Sequence, residues 1–388
     1  MNESAVVFTN AREPREAAKE IADGIARSLP GNPPDALILF ASPTYDQPAL
    51  LRAVNELCRP KLLVGASSAG EFTREKQGTG LACALALRSS EIEFSAAVGR
   101  KLSEDTGAAA REMSKAFKGL TESRFAYRAA LVMTDALAGH ANELVDALTV
   151  ATSARYQFFG GGAGDDAQFR RTHVFIGTEA ISDAAVALEI LSHKPIGIGV
   201  GHGWTPASGP MRVTEVDGKR VVSLNGTPAA EAFERYAVET GQTFDKAAAI
   251  PFFLHNILGI DTGSGHRLRV PLAVNEDGSV LCASELPPGA IVRIMRTDAN
   301  SAVEAASRAT AAALARLEGN RPQVALFFDC VATRLRMGES FGFELKAVAD
   351  NLGEANFVGC NTHGQIARAE GQFGGFHNCT AVVCVLPE

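Results

Sequence analysis

The chain has a single tryptophan, four tyrosines, no block of basic residues, and no apolar stretch near the ~20 residues that a membrane span requires. Its longest purely apolar runs, such as Ala36-Leu37-Ile38-Leu39-Phe40-Ala41, fall far short, and residues 1–20 are too charged for the apolar core of a secretion signal. A cytoplasmic location without membrane contact is expected. Lysine and arginine total 37 against 44 acidic residues, a net charge of −7. A protein that neutralises phosphate backbones leans the other way, so nucleic acid is not an expected partner. Phenylalanine, with 21 copies, supplies most of the aromatics and suits dry pockets better than a surface that stacks bases. The seven cysteines are odd in number, and Cys58, Cys83, Cys330 and Cys384 lie in apolar runs where a thiol behaves as a small core residue. No Cys-x-x-Cys, Cys-x-x-Cys-His or His-Glu-x-x-His string occurs, which removes support for zinc ribbons, covalently attached c-type haem and zincin chemistry.

What is present is a globular composition, 46% hydrophobic and 21% charged, in a chain long enough for two to three domains. It is internally repetitive. Leu51-Arg52-Ala53-Val54 and the string Gly65 to Phe72 recur 294 residues later as Leu345-Lys346-Ala347-Val348 and Gly359 to Ile366. Each block is preceded by a β-like run (36–40, 325–328) and followed by another (83–87, 381–386). A more degenerate copy lies between them: strand 130–133, helix 142–152, turn Gly160 to Asp165, strand 186–190.

Helical spacing supports the units. Phe341, Leu345, Val348 and Leu352 form one apolar stripe closed by Gly353; Ala17, Ile21, Ile25 and Leu29 form another after Pro14; a third helix is expected over about 298–317. The expected fold is α/β, with internally duplicated strand-helix-strand-turn-strand units forming mixed sheets covered by helices. Trp204 to Pro210 breaks the pattern. After it, Met211–Val216 and Lys219–Leu224 flank Asp217-Gly218, the signature of a type I′ hairpin, and Thr227-Pro228 is placed to cap a helix that buries Phe233 and Tyr236. Two domains are expected, 1–210 and 211–388.

Several strings carry candidate chemistry. Gly160-Gly161-Gly162-Ala163-Gly164-Asp165 could bring backbone N–H groups to an anion, but no Gly-Lys-Ser/Thr ending follows; a ligand-facing turn and a structural bend both stay open. Gly65 to Gly70 is reminiscent of a hydrolase elbow around Ser67 without its Gly-x-Ser-x-Gly spacing. Across the repeat, Ser68 is matched by Thr362 and Glu71 by Gln365, a hydroxyl and a carboxyl or amide suited either to holding a ligand or to capping local backbone. No nucleophile, base and orienter combination emerges, so an enzyme is not expected. Glycine on alternate residues from Gly197 to Gly203 leaves one strand face bare, against which another backbone or a planar ligand must lie. Among eight histidines, His255 stands out. Its apolar setting, Ile250 to Leu258, is of the kind that surrounds a haem axial ligand, with Arg267 and Arg269 as propionate partners. His363 lies in the second glycine turn, and His202, His377 and Asn378 complete the candidate binding residues.

The order of these strings resembles the FIST family, a sensory family of signal transduction. The matching pieces are Val64 to Glu71, Gly160 to Asp165, His202-Gly203-Trp204, Val213-Thr214, Leu224 to Ala229, Phe328-Asp329-Cys330, Gly359 to Ile366, and Phe376 to Thr380. The resemblance implies an N-terminal and a C-terminal FIST domain, and small ligands such as amino acids. No kinase or cyclase motif accompanies them. A free-standing chain of this kind is similar to the nitric-oxide-sensing haemoproteins of the family, the NosP type. That likeness implies haem b held by a histidine, His255 or His363, nitric oxide as ligand, and a separate histidine kinase or other signalling protein regulated in trans. The alternative is a sensor of an amino acid or other small metabolite without haem.

Overall fold

The computed structural model describes residues 2–263, 265–369 and 375–388. Three units of one topology make up the scaffold. The first runs β1 (Asn2–Thr9), α1 (Pro14–Ser28), β2 (Ala36–Ala41), α2 (Gln47–Cys58), β3 (Leu62–Ser67), a hairpin of β4 (Glu71–Thr73) and β5 (Gln77–Gly78), and β6 (Ala82–Ser89). The second repeats this order as β7 (Ile92–Arg100), α3 (Thr106–Lys115), β8 (Tyr127–Thr134), α4 (Ala141–Ala151), β9 (Gln157–Gly162), β10 (Val174–Ile176), β11 (Glu179–Ile181) and β12 (Ala184–Ser192). The third begins at β13 (Gly197–Gly201) and is interrupted by an insertion: β14 (Thr205–Pro206), β15 (Met211–Asp217), β16 (Arg220–Leu224), β17 (Thr227–Pro228), α5 (Ala229–Thr240), α6 (Ile250–Phe253), β18 (Asn256–Asp261), β19 (His266–Arg269), β20 (Pro271–Val274), β21 (Val280–Cys282) and β22 (Ile291–Arg296). It then resumes with α7 (Ala299–Ala315), β23 (Pro322–Cys330), α8 (Val331–Met337), α9 (Phe341–Leu352), β24 (Asn356–Thr362), β25 (Gln365–Arg368), β26 (Gly375–His377) and β27 (Ala381–Pro387).

Each unit supplies four strands to its own sheet and gives its hairpin to another. The sheets read β1-β6-β2-β3-β10-β11, β7-β12-β8-β9-β25-β26 and β13-β27-β23-β24-β4-β5. The exchange is cyclic: unit 1 completes the sheet of unit 3, unit 3 that of unit 2, and unit 2 that of unit 1. The three sheets turn one face to a shared core in which Phe40, Phe159 and Phe328 meet, with Phe40 edge-on to Phe328 at 5.6 Å. Alternate residues of the same strands, such as Leu39, Val132 and Phe327, face outward beneath the helices of their unit. Burial on both faces explains why these strands read as unbroken apolar runs.

The crossing of strand on strand is close. In each unit a glycine of the parallel pair, Gly65, Gly160 or Gly359, stands where a Cβ would collide with the carbonyl oxygen of Leu39, Val132 or Phe327. The bare face of β13 is covered by helix backbone: Gly197, Gly199, Gly201 and Gly203 oppose the carbonyls of Ala313, Ala309, Ala305 and Ser301 of α7. Of the two coverings expected for that face, a backbone is the one found.

Two local expectations shift. Asp217 pairs with Arg220, so the hairpin turn is Gly218-Lys219, and Gly218 alone has positive φ, as a type II′ turn requires. Thr227-Pro228 pair with β16 and leave α5 to start at Ala229; the Thr227 hydroxyl donates to the Leu224 carbonyl rather than capping the helix. Among the described residues the insertion holds nine strands with their own core around Phe233, Phe252 and Phe253, and residue 210 falls inside it. No helix among the described residues is long and apolar enough to cross a membrane.

Candidate functional site

The three glycine turns interlock at one end of the scaffold. The N–H of Ala69 donates to Asn361 O, that of Gly164 to Ser67 O, and that of His363 to Gly162 O. A second ring runs from Asn361 N–H to Gly70 O, Ser67 N–H to His173 O, and Gly162 N–H to Gly364 O. The contacts therefore equate Ser67, Gly162 and Asn361 as first positions and Ala69, Gly164 and His363 as third positions.

The same geometry assigns the repeated hydroxyl and carboxyl or amide to the frame. Glu71 accepts from Leu81 N–H at 3.1 Å and from the Ser68 hydroxyl; Gln365 accepts from Thr380 N–H at 3.2 Å and donates to the Thr362 hydroxyl at 2.8 Å. In unit 2 the equivalent N–H, that of Asp183, donates to Asp135 at 2.7 Å, and Thr172 donates to the same carboxylate. Each latch satisfies the backbone N–H that opens the last strand of its unit, a group that would be costly to bury unpaired. Of the two roles open for Ser68, Glu71, Thr362 and Gln365, each of the four fills the local capping one. Burial pushes the Glu71 carboxyl up to about 8, so at neutral pH it keeps its proton and approaches the chemistry of Gln365.

Other candidates also turn out to be built into the frame. Gly160, Gly161 and Gly162 lie within β9, not in a phosphate-binding turn, and the turn proper starts at Ala163. Asp165 spends both oxygens on the N–H groups of Phe169, Arg170 and Arg171. Ser67 is fully buried and accepts from His173 N–H at 3.0 Å. His202 sits between His266 O and Trp204 N–H, beside a crevice of only about 10 Å³. His377 is buried on β26, paired with Gln365.

Two cavities flank α8, the short helix inserted after β23. The first, about 250 Å³, is walled by Ala167 and Phe169 of the enlarged unit 2 turn, by Ile250, Phe253, Leu254, Val270, Pro271, Leu272 and Ala283 of the insertion, and by Cys330, Val331, Ala332, Leu335, His363 and Asn378 of unit 3. Its few polar groups are well defined. His363 is 7% exposed and stacks on Phe169 at 4.5 Å; its Nε2 lies 3.4 Å from Asp165 Oδ1 without the alignment of a hydrogen bond, and neither ring nitrogen has a hydrogen-bond partner. Burial draws its pKa down to about 4, so the ring is neutral. Asn378 is bound to Val270 N–H and His377 O. The Cys330 thiol is drawn down to about 7, chiefly by the thiol of Cys379, against the effect of burial.

The second cavity, about 200 Å³, is polar. Glu71, Gln77, Thr79, Arg334 and Asn361 line it, with Phe72 and Phe341. Arg334 and Asn361 were not distinguishable in the sequence: an arginine on a short helix reads as surface, and Asn361 only as the partner of Ser67 in the repeat.

The residues grouped as a haem site are not brought together. Ile250, Phe253 and Leu254 face the first cavity, but His255, the expected iron ligand, is exposed and outside its wall. Arg269 is 3% exposed with its guanidinium on the carbonyls of Glu285, Leu268 and Phe376, which leaves no fork for a propionate. Arg267 donates to Asn142. A cavity of about 150 Å³ holds benzene, so 250 Å³ suits a single ring or short acyl group and does not fit a porphyrin. Among the described residues no three His, Cys, Asp or Glu side chains are grouped to hold a metal ion.

No curated protein matches the chain. Among solved structures, it is similar to a cyanuric acid hydrolase from A. caulinodans at 9% identity and a TM-score of 0.35, over 99% of both chains. PurLQS from Thermotoga maritima matches at 12% identity and a TM-score of 0.23, over 100% of this chain and 72% of that one. T. maritima PurL complexed with ATP matches at 10% identity and 0.23, over 100% and 71%. The FIST N domain matches residues 35–227 and the FIST C domain residues 229–368. With nearly its whole length covered by these two domains, the chain belongs to the FIST family, whose domains are associated with sensory signal transduction.

Proposed function

We propose that this protein is a sensor whose apolar cavity takes a small, largely apolar molecule carrying one hydrogen-bonding group for His363, and that its occupancy is read by a separate signalling protein. The carrying observation is the neutral imidazole, without a hydrogen-bond partner at either ring nitrogen, in the wall of an apolar pocket where three separate segments meet. A buried polar atom without a partner is costly, and a ligand that supplies the partner binds the native state selectively. Seating a ligand there would press on the enlarged turn through Phe169 and on the insertion through Phe253 and Leu254, which gives occupancy a route to the surface. Haem is not part of this reading, because the volume and the placement of His255 and Arg269 do not suit it.

The test is a thermal-shift screen with phenol, indole, benzyl alcohol and short aliphatic alcohols on the wild type and on Ala332→Phe, which fills the cavity. At least one compound should raise the melting temperature of the wild type and leave the filled variant unmoved. A screen in which none does, or a haem absorption band that forms on adding haemin and is lost in His363→Ala, would reject the reading.

A further inference from the structure

We propose that the polar cavity on the other side of α8 is a second binding site, independent of the apolar one, and that it takes a small carboxylate. Asn361 lines it, is fully buried, and has no hydrogen-bond partner for either Oδ1 or Nδ2. An amide in this position forfeits both donor and acceptor unless something enters the cavity to meet them. Arg334 lies beside it. Its Nε is buried without a hydrogen-bond partner, and the charges it feels are those of Asp166 and Glu71. Gly70 allows the approach: a Cβ there would stand 2.6 Å from Asn361 Oδ1 and 3.1 Å from Arg334 Nε.

The charge in the wall selects the ligand class. Glu71 holds its proton at neutral pH, and Asp166, which Arg334 feels electrostatically, lies outside the wall, hydrogen-bonded to Ser42. Among the described residues the guanidinium is thus the one full charge in the lining, and a planar carboxylate matches its fork. Phe341, the first residue of α9, is in the wall too. Among the described residues no second cation stands in the wall beside Arg334, which suits a singly charged planar anion better than phosphate. The volume, about 200 Å³, accommodates a molecule a little larger than benzene.

The experiment uses the full chain and calorimetric titration with acetate, pyruvate, lactate and succinate, with acetamide, lactamide and inorganic phosphate as comparators. At about 10 mM, ten times a Kd of 1 mM, at least one carboxylate should saturate the protein. Its amide should bind at least tenfold more weakly, and Arg334→Met should weaken the carboxylate at least tenfold. Because the buried Arg334 Nε has no hydrogen bond to lose, the variant should melt close to the wild-type temperature without ligand. Absence of binding by every carboxylate, equal binding of the amides, tighter binding of phosphate, or an Arg334→Met protein that binds like the wild type would each overturn the proposal. Ala332→Phe, which fills only the apolar cavity, should retain carboxylate binding, so the two sites can fail separately.

Discussion

Units 1 and 3 share a frame and differ at the positions that line the two cavities beside α8. Both have a glycine under a strand carbonyl, Gly65 and Gly359, both have the latch from side chain to the last strand, Glu71 and Gln365, and both exchange hairpins by the same rule. At the first turn position, however, Ser67 of unit 1 is satisfied by His173 N–H, whereas Asn361 of unit 3 has no partner. At the third, unit 1 has Ala69 and unit 3 has His363. Unit 3 also carries α8, with Ala332 and Leu335 toward one cavity and Arg334 toward the other. The lesson is that a duplicated protein contains its own control: residues kept between copies hold the frame, and the copies differ where unit 3 leaves the amide of Asn361 and the ring of His363 without hydrogen-bond partners.

The largest expected effect tests the shared frame. Gly359→Ala drives a methyl group against Phe327 O in a sheet buried on both faces and should cost about 3 kcal/mol or more in urea unfolding, or prevent folding. His363→Ala, four residues along the same segment, should cost far less, because the ring has no hydrogen bond to lose. Near-equal losses would remove the distinction between frame and site.

Next in size is the exchange of latches. Gln365→Glu places an ionisable group at a fully buried position and removes the donor to Thr362, at a cost of about 1–3 kcal/mol at neutral pH. Glu71→Gln should be stabilising at neutral pH, since folding no longer has to put back on Glu71 a proton that the unfolded chain has released. The pH profile sharpens this. Glu71 has a folded pKa raised to about 8 from its ordinary 4.5, so between these values the native state holds a proton that the unfolded chain has released. Stability should therefore fall as pH rises through that window, with a slope of up to ~1.4 kcal/mol per pH unit. Glu71→Gln should flatten that slope. His363 works in the opposite sense: with its pKa lowered to about 4, stability is lost as pH falls from about 6.5 toward 4, and His363→Ala should remove that part. A denaturation series from pH 4 to 9 separates the two.

Much of the scaffold was legible because it rests on local rules. The stripe of Phe341, Leu345, Val348 and Leu352 does form a helix, and the offset between copies pointed to the equivalent turns. Unit 2 was harder to read since its turn is enlarged by residues 165–172 and its latch comes from Asp135 on another segment. Hairpin exchange could not be read at all: β4 pairs with a strand almost 290 residues away, and nothing local encodes that. His255 misled for a related reason. Its neighbours are apolar because α6 faces the cavity, and the turn that ends α6 points the histidine away.

The smallest effect, without consequence for stability, distinguishes the two cavities directly. Cys330 is the one thiol whose pKa is lowered, to about 7, while burial raises Cys58 and Cys282 to about 12 and pushes Cys83, Cys360 and Cys384 up as well; Cys379 is raised by its hydrogen bond to Cys330. Since the thiolate is the nucleophile, iodoacetamide at pH 7.5 should label Cys330 first, and Cys330 is 3% exposed but lines the apolar cavity. The reagent must therefore enter through that cavity. A ligand seated against His363 should slow labelling at least tenfold, as should Ala332→Phe, whereas a carboxylate bound at Arg334 should leave the rate within twofold. Equal protection by both ligands would mean that the spaces on the two sides of α8 communicate and act as one site.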